Sequence, residues 1–334
     1  MALLEVKNLV TNFTTDQGNV AAVRDVSFEL EQGEVLGIVG ESGSGKSQTM
    51  YSIIGLLASN GKIGEQSNII FDGQDISPSN FSSQKEYTAM MRKIRGNSMG
   101  MIFQDPMTFL NPILKIEEQL VEPILEHTDL TRAQAKERAL ELMRLVGIPS
   151  PEKRITQYPF EFSGGMRQRI VIAIALACSP KLIIADEPTT ALDVTIQAQV
   201  LELIDNLRNT SDSAIIMITH DLGVVAKLCD RIAIMYGGKI VEIGTDKEIF
   251  YDPKHPYTLG LLNCISNPED DSRKPLTPIA GSPPDLLNPP KGCPFVDRCE
   301  KAMKICKDNA PEEKQFSPTH KCSCWLHYER GGNK

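Results

Sequence analysis

The sequence predicts an α/β fold around a mostly parallel sheet, with an antiparallel β segment at its start and a loop-rich extension at its end. Three observations carry this. Short apolar runs (Glu34–Val39, Lys181–Ala185, Ala214–Thr219) alternate with helical patterns through residues 1–250. Such runs suit strands buried on both faces, and strand–helix alternation marks a parallel layer. A glycine-rich loop joins the first run to a helix. Composition then shifts near Phe250: 12 of the 21 prolines and six of the eight cysteines lie in the last 84 residues, which cannot continue a regular alternation.

The elements follow in order. Leu3–Val6 and Val20–Leu30 read as strands of a small sheet, and Glu34–Val39 runs into the glycine-rich loop. Ile69–Phe71, Asp72-Gly73 and Gln74–Ile76 read as a hairpin. Residues 114–147 are helical in pattern; Thr131 with Gln134 forms a capping box, and Gly147 before Ile148-Pro149 supplies a stop. Met166–Cys178 is an apolar helix opened by Ser-Gly-Gly, and Val194–Leu207 is a helix capped by Asp193. Arg231–Met235 and Lys239–Ile243, joined by Gly237-Gly238, close the alternation as a hairpin. The expected division is 1–250, with a helical subdomain at about 105–165, and 251–334.

The 334 residues are 41% hydrophobic, an ordinary globular mix that excludes a disordered or collagen-like chain. Forty-three acidic against 35 basic side chains give a charge of −8, without the basic footprint of a general nucleic-acid binder. The opening MALLEVKNLV is strand-like and lacks the basic flank of a signal peptide. The longest apolar run, Ile170–Cys178, is far short of the ~20 residues that cross a bilayer. A soluble protein is expected, with membrane contact only through a partner.

Gly40-Glu41-Ser42-Gly43-Ser44-Gly45-Lys46-Ser47 matches G-x-x-x-x-G-K-[ST] in full, between a strand and a helix as the motif requires. Glycines let successive amides face one anion, and the helix adds its positive end. Lys46 suits the β- and γ-phosphates of a nucleotide, and the Ser47 hydroxyl suits Mg²⁺. Asp186 ends a buried strand, where α/β sheets place ligand-binding groups, and can hold the same ion. Glu187 follows at once and can poise an attacking water. Ser163-Gly164-Gly165 opens a second helix with free amides, 117 residues beyond Lys46.

Phe162-Ser163-Gly164-Gly165-Met166-Arg167-Gln168-Arg169 resembles the signature motif of ABC transporter ATPases. The other family marks occur in order. Gln104 in Ile102-Phe103-Gln104-Asp105 resembles the Q-loop, Thr190-Ala191-Leu192-Asp193 the D-loop and His220 the switch histidine; Phe13 stands where the family stacks an aromatic on adenine. Phe162 and Met166 depart from the general family's Leu and Gln. Together with the stretch Ala185–Gln199 and the cysteine-bearing tail, they are similar to the dipeptide/oligopeptide permease branch.

The resemblance, which covers residues 1 to about 250, implies an ABC-type P-loop ATPase with a helical signature subdomain. It implies ATP hydrolysis that powers di- or oligopeptide import through two transmembrane permease subunits. A second ATPase subunit, identical or related, and indirectly a peptide-binding protein complete the partners, on the cytoplasmic face of the membrane and without nucleic acid. The family's head-to-tail dimer places each ATP between one chain's Lys46 loop and the other's Ser163 turn. The implied ATP contacts are Phe13, residues 40–47, Gln48, Ser163, Gly164 and Gly165. Lys46, Gln104, Glu187 and His220 are the implied catalytic groups, and Ser47, Gln104 and Asp186 the Mg²⁺ ligands. Two rival readings are a non-transport ABC ATPase acting on DNA or ribosomes, and a metal or redox sensor with a vestigial nucleotide site. The 59-residue step from Gln104 to Ser163 leaves no room for a long coiled-coil arm, and the intact motif residues oppose the second.

Cys293, Cys299, Cys306 and Cys324 are spaced C-x5-C-x6-C-x17-C, with Cys322 and His320 nearby. The absence of a C-x2-C knuckle disfavours a zinc ribbon, and disulfides are disfavoured beside a cytosolic ATPase. A proline-rich segment with few large apolar residues reads as one that a metal holds together. The resemblance implies a [4Fe–4S] cluster on those four cysteines, with Cys324 rather than Cys322 as ligand; zinc and free thiols are the alternatives. With no residue shared between it and the ATP motifs, a structural or docking role, rather than electron transfer, is expected for the cluster. Cys178, Cys229 and Cys264 read as isolated buried thiols.

Overall fold

The computed structural model describes residues 2–190, 193–210, 212–264 and 278–328. Two compact units emerge, one from residues 1–4, 30–35 and 71–218, the other from 5–29, 36–70 and 219–334.

In the first unit, Met99–Ile102, Leu182–Asp186 and Ala214–Thr219 are adjacent parallel strands. Their register runs Met99↔Leu182↔Ala214 to Ile102↔Ala185↔Met217. All their residues are buried, which accounts for the unbroken apolar runs. The helical pattern over 114–147 resolves into two helices, Ile116–His127 and Arg132–Leu145. The break falls where Thr131 caps: its N–H donates to Gln134 Oε1 at 2.9 Å, and its Oγ1 accepts from Gln134 N–H at 3.4 Å. After Leu145, Ile148 N–H reaches Met143 O at 2.9 Å and Gly147 N–H reaches Arg144 O at 3.0 Å, the paired bonds of a glycine-terminated helix. Both helices pack on Gly164–Ala175, the helix that Ser163 opens. Gln84–Ile94, which the sequence reading passed over, starts with Ser83 Oγ accepting from Glu86 N–H. Asp193 Oδ1 accepts from Ile196 N–H at 3.0 Å, as its capping role requires, whereas Ala191 and Leu192 lie outside the described residues.

In the second unit, Leu4–Thr15, Gly18–Leu30, Gly61–Ile63 and Asn68–Phe71 make the antiparallel segment. Val35–Val39 lies parallel to Arg231–Tyr236, which turns through Gly237 and Gly238, both at positive φ, into Lys239–Thr245. Two short strands of the tail extend this hairpin: Lys321–Cys322 pairs with Ile243 and Glu242, and Lys314–Gln315 pairs with Lys321–Cys322.

The tail is packed more firmly than its proline content implies. Phe295 lies edge-on to Tyr236, with centroids 5.2 Å apart, and 5.3 Å from Tyr257. The Glu242 carboxylate, fully buried, accepts from Thr258 Oγ1 at 2.6 Å and from the N–H groups of Lys254 and His255 at 2.6 and 2.9 Å. It also bonds His320 Nε2 at 2.8 Å. A buried carboxylate with four partners fixes the chain that brings them. Aromatic packing and this network thus hold a segment that the sequence reading assigned to metal. Among the described residues, no helix is long and apolar enough to cross a membrane.

Candidate nucleotide site

The strand Val35–Val39 delivers residues 40–47 to the start of the helix Lys46–Ile53. Gly43 and Gly45 adopt φ of +77° and +100°. A side chain at Gly45 would meet Ala22 O at 2.4 Å, so both conformation and space require glycine there. Lys46 is only 6% exposed, and its Nζ donates to Gly40 O at 2.8 Å and Glu41 O at 3.0 Å. Ser44 Oγ is buried without a hydrogen-bond partner. An orphaned buried hydroxyl in a glycine-rich loop that opens a helix fits an anion-binding cradle. Ser47 and Gln48 stand half-buried in the helix's first turn.

Glu41 is held from three directions. Its N–H donates to Tyr257 Oη at 3.0 Å, its carbonyl accepts from Lys46, and its carboxylate meets Arg298 at 2.7 and 3.1 Å. The sequence reading missed Tyr257 and Arg298.

In the other unit, Asp186 closes its strand at 1% exposure. Glu187 follows at φ +45°, a left-handed conformation that costs a non-glycine residue about 1 kcal/mol. Its N–H donates to Ile218 O at 2.9 Å, and its Oε2 accepts from Gln104 Nε2 and Thr190 Oγ1, each at 2.9 Å. The expected Q-loop glutamine and the expected base are thus joined directly. Strain held by bonds on both backbone and side chain is the kind found at functional sites.

Ser163 caps its helix, with Oγ accepting from Met166 N–H at 3.4 Å. Ser163 and Gly164 are exposed, with open space where a Gly164 Cβ would stand; Gly165 is buried against Ile196. His220 is exposed just beyond its strand. The following Asp221 caps the next helix, its Oδ1 accepting from Gly223 and Val224 N–H. Phe13 is half-buried and faces Gly61 on the paired strand, where a Cβ would meet its ring at 2.7 Å.

In the tail, Cys293, Cys299, Cys306 and Cys324 line one cavity together with His255 and Trp325, and Cys322 does not. Burial pushes the Cys293 thiol up to about 12 and Cys324 up to about 11, and also raises Cys299. The expected [4Fe–4S] site is not supported by this geometry. Among the described residues no three His, Cys, Asp or Glu side chains are arranged to hold a metal. The cavity of about 10 Å³ has room for roughly one water, far less than a cluster needs. Cys264 is also corrected: it is exposed at the end of the helix Pro256–Asn263, whereas Cys229 is buried and Cys178 half-buried.

Residues 23–190 match the ABC transporter family model, and residues 241–306 match the oligopeptide/dipeptide transporter C-terminal region. The chain is 54% identical to the oligopeptide transport ATP-binding protein OppD of Bacillus subtilis, over 97% of this chain and 88% of that protein. It is 51% identical to the dipeptide transport ATP-binding protein DppD of the same organism, over 98% and 96%. Among solved structures, the dimeric ATP-binding cassette MJ0796 bound to ADP and Pi superposes with a TM-score of 0.62 at 25% identity, covering 72% of this chain and 98% of that one. With about half of its residues identical to these relatives over nearly its whole length, and the ABC transporter model matched across residues 23–190, the chain belongs to the ABC transporter family, in its oligopeptide and dipeptide transport ATP-binding branch.

Proposed function

We propose that this chain hydrolyses ATP to power the import of peptides through separate membrane permease subunits, from the cytoplasmic face. The observation that carries this reading is the joint match to the ABC cassette and to the oligopeptide/dipeptide C-terminal region in one chain. The site chemistry follows from the residues. Lys46 and the loop of residues 40–48 bind the phosphates, and Phe13 packs under the base. Glu187, aimed by Gln104 and Thr190, takes a proton from the attacking water, and His220 contacts the γ-phosphate. Ser47 and Asp186, with Gln104, would hold Mg²⁺, whose charge would offset that of the phosphates. Ser163, Gly164 and Gly165 offer their helix start to the ATP of a second ATPase subunit. Residues 1–250 form the ATPase domain, with its helical subdomain at about 105–165, and 251–334 the extension. A peptide-binding protein would deliver cargo on the far side.

The test is transport by the purified complex in proteoliposomes. ATP-dependent uptake of a labelled tripeptide, lost in Glu187→Gln, is expected. ATP turnover without uptake, or co-purification with DNA or ribosomes in place of membrane subunits, overturns the reading. The iron–sulfur reading of the tail requires the cavity lined by Cys293, Cys299, Cys306 and Cys324 to open well beyond its folded size. About four irons per anaerobically purified chain would carry it, and an iron-free chain ends it.

A further inference from the structure

The tail reaches the phosphate loop through one side chain. Arg298 sits just before Cys299, at the end of the short turn Val296–Arg298, and its side chain is 6% exposed. All five of its N–H donors are used. Nη1 donates to Glu41 Oε2 at 2.7 Å and to Tyr236 Oη at 3.1 Å. Nη2 donates to Glu41 Oε1 at 3.1 Å and to Ile279 O at 3.0 Å, and Nε to Ala280 O at 3.0 Å. The guanidinium also stands 5.7 Å from the Tyr236 ring and 6.0 Å from the Phe295 ring. A planar fork with every donor satisfied is a position lysine cannot reproduce.

Its partner is the second residue of the nucleotide loop. Glu41 places a carboxylate beside a site meant for a polyanion, and Arg298 is the cation that neutralises it. The same residue's carbonyl holds Lys46 Nζ, so the pose of Glu41 bears on the lysine as well as on the local charge. We propose that Arg298 is a positioning residue for the phosphate loop, through which the C-terminal tail sets nucleotide affinity. This rests on reading residues 40–47 as the nucleotide loop.

The consequence is directional. Without Arg298 the Glu41 carboxylate is left half-buried and uncompensated, so it repels the incoming phosphates and releases the loop. Removing that carboxylate as well should undo the charge effect, whereas simple unfolding of the tail would not be repaired that way.

The experiment is calorimetric titration of the full-length chain with MgATP and MgADP, with melting curves to confirm folding. Wild type binds, and Lys46→Ala binds roughly ten- to a hundredfold more weakly; if wild type does not bind, the loop reading itself fails. With wild type binding, Arg298→Gln is expected to weaken MgATP about tenfold. Arg298→Lys, which keeps the charge but not the fork, should fall between the two. Adding Glu41→Gln to Arg298→Gln should recover most of the loss, and high salt should narrow the gap between wild type and Arg298→Gln. Arg298→Gln binding as tightly as wild type overturns the proposal. So does a double variant as weak as Arg298→Gln, and so does Arg298→Lys matching wild type with unchanged salt dependence.

Discussion

The Lys46 ammonium is already turned into the loop by two carbonyls, so binding a nucleotide needs only an exchange of partners within a formed cradle. Lys46→Ala removes that cation and should weaken MgATP by roughly ten- to a hundredfold, read by calorimetry; wild-type affinity would contradict it. At Glu187, both Gln104 and Thr190 donate to the same oxygen, so an amide oxygen can occupy that place. Glu187→Gln therefore keeps the arrangement and, on the proposed mechanism, removes the base. ATP should still bind while kcat falls about 10²- to 10⁴-fold at similar KM, measured by phosphate release. Normal turnover would move the base elsewhere. Both residues were legible because each is fixed by a local pattern, a loop motif or the end of an apolar strand. Arg298 and Tyr257 were not, because they meet Glu41 across 257 and 216 residues and carry no motif of their own. The left-handed turn at Glu187 was equally hidden, since its tolerance comes from bonds that only the folded chain supplies.

Among the elements, those with two-sided burial or explicit caps were read from sequence, and the tail was not. The parallel strands announce themselves by apolar runs, and Thr131 and Gly147 mark helix ends through side chains adjacent in sequence. Ser83-x-x-Glu86 carried the same kind of signal for Gln84–Ile94 and was overlooked. The tail's order depends instead on long-range polar contacts, which no local pattern encodes. Those contacts make its docking sensitive to acid. Burial holds His255 neutral, its basicity lowered to about 3 from the usual 6.5. Between those values the unfolded segment binds a proton that the folded one does not, so stability falls as pH drops through that window. At Glu248, burial raises the carboxyl, but donors from Ser317, Thr245 and Thr319 outweigh it and bring it to about 2 from 4.5. That depressed carboxyl adds stability which is full above pH 4.5 and is lost as pH falls toward 2. Both effects act in the same direction. Trp325, the single tryptophan of the chain, lies in this tail and donates to Asn309 O at 2.9 Å, so its fluorescence reports docking. The emission should be flat from pH 8 to 6.5 and shift progressively below that, before global unfolding by circular dichroism. An emission unchanged down to pH 3 would show that the two groups do not control the tail.

At the scale of the whole molecule, one chain carries two helix starts suited to an anion but a single lysine loop. Ser163 and Gly164 are exposed, with open space where a Gly164 Cβ would stand, as the proposed contact with a partner's nucleotide requires. Shared sites of this kind make dimerisation depend on ATP, because each nucleotide then belongs to the interface. Complementation separates shared from private sites. Ser163→Arg blocks the helix start but leaves the loop, and Lys46→Ala disables the loop but leaves the helix start; each chain alone should be inactive. Mixed in equal amounts, half of randomly formed dimers are mixed, and each mixed dimer holds one intact site out of two. Roughly a quarter of wild-type turnover should therefore return, with a dependence on protein concentration that neither parent shows. A private site, by contrast, predicts no recovery at any ratio. Phosphate release measured across mixing ratios should peak at one to one. A mixture as inactive as its parents would place both phosphate-binding elements of each site within one chain.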